Sequence, residues 1–161
     1  MPAGAEPWRP DVTVACVIER DGRFLVVEER VLDRLVVNQP AGHLDPDESL
    51  VEAAERETLE ETAWRVRVNG LVAVYQWRNP DDGAAVVRFT FAAEALAHES
   101  ERALDHGIVR ALWLTQAEIE SGRHALRTPM VARSIVDYRR RAPVALDLLR
   151  DVHPALIEGA A

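Results

Sequence analysis

Apolar and polar positions alternate in blocks along this chain. Residues 12–18 form a β-branched apolar run, and Asp21-Gly22 follows as a tight-turn signal, so residues 24–28 return as the second arm of a hairpin. Residues 30–35 read as a loop, 36–39 as a short strand ended by Pro40, and 41–47 as a polar turn. Helical spacing begins there. Leu50, Val51, Ala53, Ala54 and Leu59 recur at helix period behind Asp47 as N-cap, which predicts a helix over about 48–62.

The pattern then returns to strands. Residues 66–77 read as a strand interrupted at Asn69-Gly70, residues 79–83 as a turn and 85–93 as the returning strand. Another strand is predicted over 108–114. Thr115 with Glu118 three residues on has the form of a capping box for a short helix through Ile119. Thr128-Pro129 opens a last helix through about Arg140, with Val131, Ile135 and Tyr138 on its inner face. No repeat or linker breaks the chain. Strands on both sides of one central helix, with a helical part at about 115–141, predict an α/β or α+β layered fold in one domain over 1–161.

Composition narrows the function classes. The 161 residues carry 48% hydrophobic and 29% charged side chains, enough apolar material for one core without disulfides or a structural metal. The formal net charge is -8 and the chain has no lysine, which disfavours a nucleic-acid partner. A small anionic substrate remains compatible, because a bound cation reverses the local charge. Cys16, alone in its apolar run, reads as a buried inert thiol. Residues 1–10 lack the apolar core of an export signal, and no apolar stretch approaches a membrane span, so no membrane partner and a cytoplasmic location are expected. The pattern leaves monomer and homodimer open.

The informative segment is Arg56-Glu57-Thr58-Leu59-Glu60-Glu61. Positions i, i+3 and i+4 share a helix face, so Glu57, Glu60 and Glu61 project together although like charges repel at that spacing. The plain reading is a solvated acidic face. The chemical one is a site for a hard divalent cation, which takes oxygen ligands and keeps several waters.

The flanks favour the second. Gly42, Glu48, Arg56, Glu57, Glu60 and Glu61 stand at the spacing Gly-x5-Glu-x7-Arg-Glu-U-x-Glu-Glu-x-Gly-U, where U is a bulky apolar residue. Residues 42–64 therefore resemble the box of the Nudix hydrolases. There are two departures: Thr58 replaces a bulky apolar residue and Ala63 the glycine past the helix end. Residues 12–17, 24–29, 38–44 and 50–54, and more loosely 88–92 and Trp113, resemble bacterial phosphatases of that family, so the likeness spans about 11–140.

That resemblance implies the Nudix fold, a mixed sheet sandwiched between helices with a catalytic loop–helix–loop. It implies Mg²⁺ or Mn²⁺ held by Glu57, Glu60 and Glu61 with the Gly42 carbonyl, and supporting roles for Glu48 and Arg56. The implied reaction is hydrolysis of phosphoanhydride bonds in small phosphorylated metabolites. Candidates are nucleoside tri- and diphosphates or the pyrimidine diphosphate precursor of thiamine, with release of phosphate. The alternatives are a pyrophosphatase for ADP-ribose or another nucleoside-diphosphate sugar, and a ligand sensor without catalysis. Pro80 fits the first of these loosely and a turn equally well. Glu60 or Glu61 is a candidate base, as are Asp105 and His106 in the loop before the 108–114 strand. Trp77, Arg78 and Arg88 are candidates for stacking on a ring or meeting phosphate, against packing or solvation. Gln39 and His43 flank the box glycine and are candidates for phosphate contacts, against loop hydrogen bonds. Trp8, Trp64 and Trp113 read as packing residues.

Overall fold

The computed structural model describes residues 8–152. Seven of the ten residues weighed as an export signal, and Pro154, lie outside them. In chain order the elements are β1 (Asp11–Arg20), β2 (Arg23–Val31), β3 (Arg34–Asn38), β4 (Ala41–His43), α1 (Leu50–Thr62), β5 (Trp64–Arg78), β6 (Ala85–His98), β7 (Ile108–Thr115), α2 (Gln116–Glu120) and α3 (Met130–Arg140), followed by a 3-10 turn at Leu146–Leu148.

The first hairpin turns at Asp21 and Gly22, both with positive φ (52° and 75°), as the Asp-Gly pair predicts. Its arms pair only at the tip, Glu19 with Phe24 and Arg20 with Arg23. They then part. β1 runs parallel to β6 on one side and antiparallel to β4 on the other, while β2 lies between β3 and β7. β5 closes the far edge against β6.

A strand with apolar side chains at successive positions must be covered on both faces, and β1 is. Val14, Cys16 and Ile18 join Leu25, Val66, Val68, Phe91 and Ala93 under Ala53 and Ala54 of α1. Val17 joins Phe24, Val26 and Val37 against Ile119 of α2 and Val131 and Ile135 of α3. The mixed sheet is thus sandwiched between helices, and Tyr138 edges onto Phe24 with ring centroids 6.1 Å apart. Among the described residues no helix is long and apolar enough to cross a membrane.

Four local expectations are corrected. The N-cap of α1 is Ser49, whose hydroxyl accepts from the Glu52 amide while the Glu52 carboxylate accepts from the Ser49 amide; Asp47 instead takes a left-handed turn position at φ 67°. Residues 41–43 are a strand, because the parting of β1 from β2 leaves a free edge that Ala41–His43 fills. Asn69-Gly70 does not interrupt β5. The register there shifts by a bulge, and a side chain at Gly70 would meet Pro143 of the returning tail. β2 and β3 extend into the predicted loop, leaving a turn at Leu32 and Asp33, and β6 continues to His98.

The two departures in the box are also explained. Thr58 is fully buried, and its hydroxyl donates to the Ala54 carbonyl at 2.7 Å, so it packs without an unpaired polar group. Ala63 caps α1 at φ 58°, ψ 15°, the left-handed conformation that glycine adopts freely. The strain of roughly 1 kcal/mol is offset by a methyl group that is 2% exposed.

Candidate active site

The last two turns of α1 carry the acidic cluster. Arg56 holds it together. Its Nε and Nη2 donate to the two Glu48 oxygens at 2.9 and 2.7 Å, its Nη1 to Glu57 at 2.9 Å and Glu60 at 3.1 Å, and Nη2 also to the His43 carbonyl at 3.1 Å. The Glu48 carboxylate also accepts from the Asp45 amide, which ties the loop before α1 to the helix. Arg56 holds the Glu48 carboxyl below the usual carboxylate range, and the carboxylates in turn push the guanidinium up.

Glu57 and Glu61 face inward. Burial raises the Glu57 carboxyl, opposed by Arg56 and reinforced by Glu60 and Asp105. Glu61 accepts from the Ala41 amide at 2.9 Å and is pushed up to about 8, chiefly by burial, with Glu57, Glu29 and Asp105 adding to the shift. Gly42 lies against Glu57 so closely that a Cβ there would overlap the carboxylate. Crowded, partly buried carboxylates beside a glycine carbonyl suit a hard divalent cation. Among the described residues no three acidic or imidazole groups already converge on one point. Arg56 Nη1 draws Glu57 and Glu60 to itself, and the Glu60 side chain, 36% exposed, has room to turn.

Gly42→Ala is expected to displace the Glu57 carboxylate and lower Mn²⁺ affinity roughly 10- to 100-fold, measured by metal titration; unchanged affinity would show that the close approach is dispensable. A carboxyl whose pKa rises on folding contributes stability below its unfolded value, here near 4.5, and loses it as pH climbs to about 8. Metal-free protein is therefore less stable at pH 9 than at pH 6, on the order of a few kcal/mol at most. Denaturant titrations at the two pH values test this, and Glu61→Gln flattens the difference.

The remaining candidates divide. Arg88 lies on β6 in register with Thr13 of β1 and Tyr75 of β5. It is buried, its Nε reaches the Thr13 hydroxyl at 3.4 Å, and its Nη1 has no partner among the described residues. Burial pushes it down to about 10, against the raising influence of Glu61 and Glu29. The Asp105 amide donates to the Glu60 carbonyl at 2.9 Å, so its loop is fastened to the end of α1; Asp105 and His106 are exposed. Gln39 turns away, its amide nitrogen on Ser134 and the Val131 carbonyl of α3. His43 is exposed, 3.9 Å from Asp11. Trp77 and Arg78, at the end of β5, line a cavity with Trp8 and Gln76.

Sequence reasoning passed over Glu29 and Arg127. Glu29 continues the inward series Leu25, Val27 on β2, and an acid in a core-facing position was the available signal. Its Oε1 is buried without a hydrogen bond among the described residues, 3.9 Å from the Arg127 Nε. Arg127 had no local signal; it arrives because its amide donates to the Val37 carbonyl at 2.9 Å.

A mixed sheet between helices, with a glycine loop feeding an Arg-Glu-x-x-Glu-Glu helix, defines a class of hydrolase. Residues 7–135 match the model of the NUDIX domain. The chain belongs to the Nudix hydrolase family. It is 38% identical over 152 residues to phosphatase NudJ of Escherichia coli strain K12, covering 94% of this chain and 98% of that one. A NUDIX hydrolase from Nitrosomonas europaea superposes with a TM-score of 0.85 at 41% identity, over 89% of this chain and 97% of that one. An ADP-ribose pyrophosphatase from Streptococcus suis, 18% identical, shares the fold with a TM-score of 0.63 over 84% and 96% of the chains.

Proposed function

We propose that this Nudix enzyme hydrolyses phosphoanhydride bonds of small phosphorylated metabolites with Mg²⁺ or Mn²⁺ and releases orthophosphate. The substrates to test first are nucleoside tri- and diphosphates and the thiamine pyrimidine diphosphate. The observation that carries this is the Glu57 carboxylate packed against Gly42, with Glu60 and Glu61 on the next turn of α1 and the unpartnered Nη1 of Arg88 near Glu61. The likeness to phosphatase NudJ supports phosphate release over cleavage in mid-chain. A cytoplasmic setting suits such substrates.

A divalent ion held by Glu57, Glu60, Glu61 and the Gly42 carbonyl would neutralise phosphate charge and lower the pKa of bound water. The protein does the rest. Arg88 offers a phosphate oxygen a charge-assisted hydrogen bond from Nη1, which has no partner among the described residues. Glu60, the most open of the three carboxylates, accepts the proton of the attacking water, and the loop carrying Asp105 is fastened to the end of α1 beside it. Arg56 and Glu48 fix the helix against the loop, so the carboxylates keep their places.

The test is phosphate and pyrophosphate release from these compounds and ADP-ribose, with Mg²⁺ and with EDTA, for wild type and Glu60→Gln. Metal-dependent orthophosphate release that Glu60→Gln loses is the expected result. Cleavage of ADP-ribose alone would move the enzyme to the diphosphate-sugar branch, and binding without any turnover would make it a sensor.

A further inference from the structure

Thr13, Arg88 and Tyr75 stand in one row across β1, β6 and β5. The Tyr75 hydroxyl donates to Asp137 of α3 at 2.8 Å, which identifies the sheet face they share. The next row is Asp11, Val86 and Trp77, and no register shift separates Trp77 from Tyr75, so Trp77 projects from that same face. Strand spacings of about 4.8 Å across and about 6.7 Å per two residues along place the Trp77 Cα roughly 8 Å from that of Arg88. That is the scale of a nucleoside between ring and phosphate.

At this end of the sheet Trp8, Gln76, Trp77 and Arg78 line a cavity of about 510 Å³. The four tryptophans differ in how they are held. Trp64 and Trp113 meet edge to face at 5.7 Å, with the Arg20 guanidinium 4.6 and 4.5 Å from their ring centres, which closes that cluster. Trp8 is 54% exposed, and among the described residues no ring contact joins it to Trp77. Trp8 and the half-buried Trp77 both line this cavity, where indole surface accepts a flat ring. Gln76 and Arg78 alternate with Trp77 along β5, so their side chains leave the strand on its other face.

We infer that Trp8 and Trp77 form the subsite for the planar heterocyclic ring of a phosphorylated substrate, whose phosphates cross Arg88 to the carboxylates of α1. This rests on the hydrolase reading, which puts the phosphates at Glu57, Glu60 and Glu61. It makes Trp8, otherwise a packing residue, a contact that selects ring-bearing substrates.

The test separates ring from phosphate and needs no turnover. AMP, CMP and inorganic pyrophosphate are titrated into the full chain by calorimetry and tryptophan fluorescence, with wild type, Trp8→Leu, Trp77→Leu and Trp77→Phe. The expected result is quenching by AMP or CMP. Each leucine variant weakens ring-bearing ligands about 5- to 100-fold relative to pyrophosphate, and Trp77→Phe recovers most of the loss. Stronger binding of AMP or of CMP tells which ring size the cavity takes. Trp8, being exposed, carries the test if Trp77→Leu folds poorly. Equal losses for pyrophosphate and the nucleotides, or unchanged affinity in both leucine variants, would overturn the subsite. Failure of the hydrolase reading shows separately, as no metal-dependent phosphate release from wild type.

Discussion

Glu57→Gln is expected to lower kcat by about 10³-fold while leaving the fold as stable as before or more so. The two effects have one cause. Glu57 is 13% exposed, is raised by burial, and lies against Gly42 with one oxygen 2.9 Å from Arg56 Nη1. Glutamine keeps the shape, and its carbonyl still accepts from Arg56, but it carries no charge to desolvate. A residue kept for packing would not be a buried acid in this crowd, so the cost of the charge marks it as functional. Melting temperatures with and without Mg²⁺ separate the possibilities. Wild type gains stability on adding Mg²⁺ by mass action and the variant gains much less. A variant that melts earlier yet keeps its full response to Mg²⁺ would make Glu57 a support for the helix rather than a ligand.

What the sequence shows of this site depends on how local each part is. Glu57, Glu60 and Glu61 are legible because helical spacing alone places them on one face, and the capping box at Thr115 and Glu118 lies within one turn. The hairpin at Asp21-Gly22 and the inner face of α3 are local in the same sense. β4 is not. Residues 41–43 become a strand only because β1 and β2 part after two paired positions, a consequence of sheet packing that no window of sequence contains. Ser49 caps α1 over Asp47 because the turn after Pro46 drives Asp47 to positive φ. Arg88 is readable as an arginine among apolar neighbours. Its unpartnered Nη1, and the arrival of Glu29 and Arg127 nearby, need the tertiary fold. The cavity shared by Trp8 and Trp77 joins residues far apart in sequence, and composition gave no hint of it.

Arg56 is the position where stability and chemistry are most tightly joined, and Arg56→Met is expected to cost about 3 kcal/mol. One guanidinium satisfies Glu48 with two bonds, Glu57 and Glu60 with one each, and the His43 carbonyl with a fifth. It is 28% exposed and Glu48 15%, so solvent does little to replace it. Removing it leaves like charges on neighbouring turns of α1 with no cation between them. For a chain of this length a 3 kcal/mol loss lowers the melting temperature by roughly 6–12 °C. Lysine does not rescue it, because a point ammonium cannot span Glu48 and the pair Glu57 and Glu60 together. The pH dependence identifies the cause. The Glu48 carboxyl is lowered on folding, so its contribution is present above the unfolded pKa near 4.5 and is lost as pH falls below it. Wild type loses that stability as pH falls below about 4.5, and Arg56→Met, in which only the Asp45 amide still favours the Glu48 carboxylate, loses less of it. Urea titrations of both proteins at pH 7 and pH 3.5 measure it. Stability gaps of equal size at the two pH values would mean that Arg56 acts through the packing of its stem, and that the carboxylates of α1 do not depend on its charge.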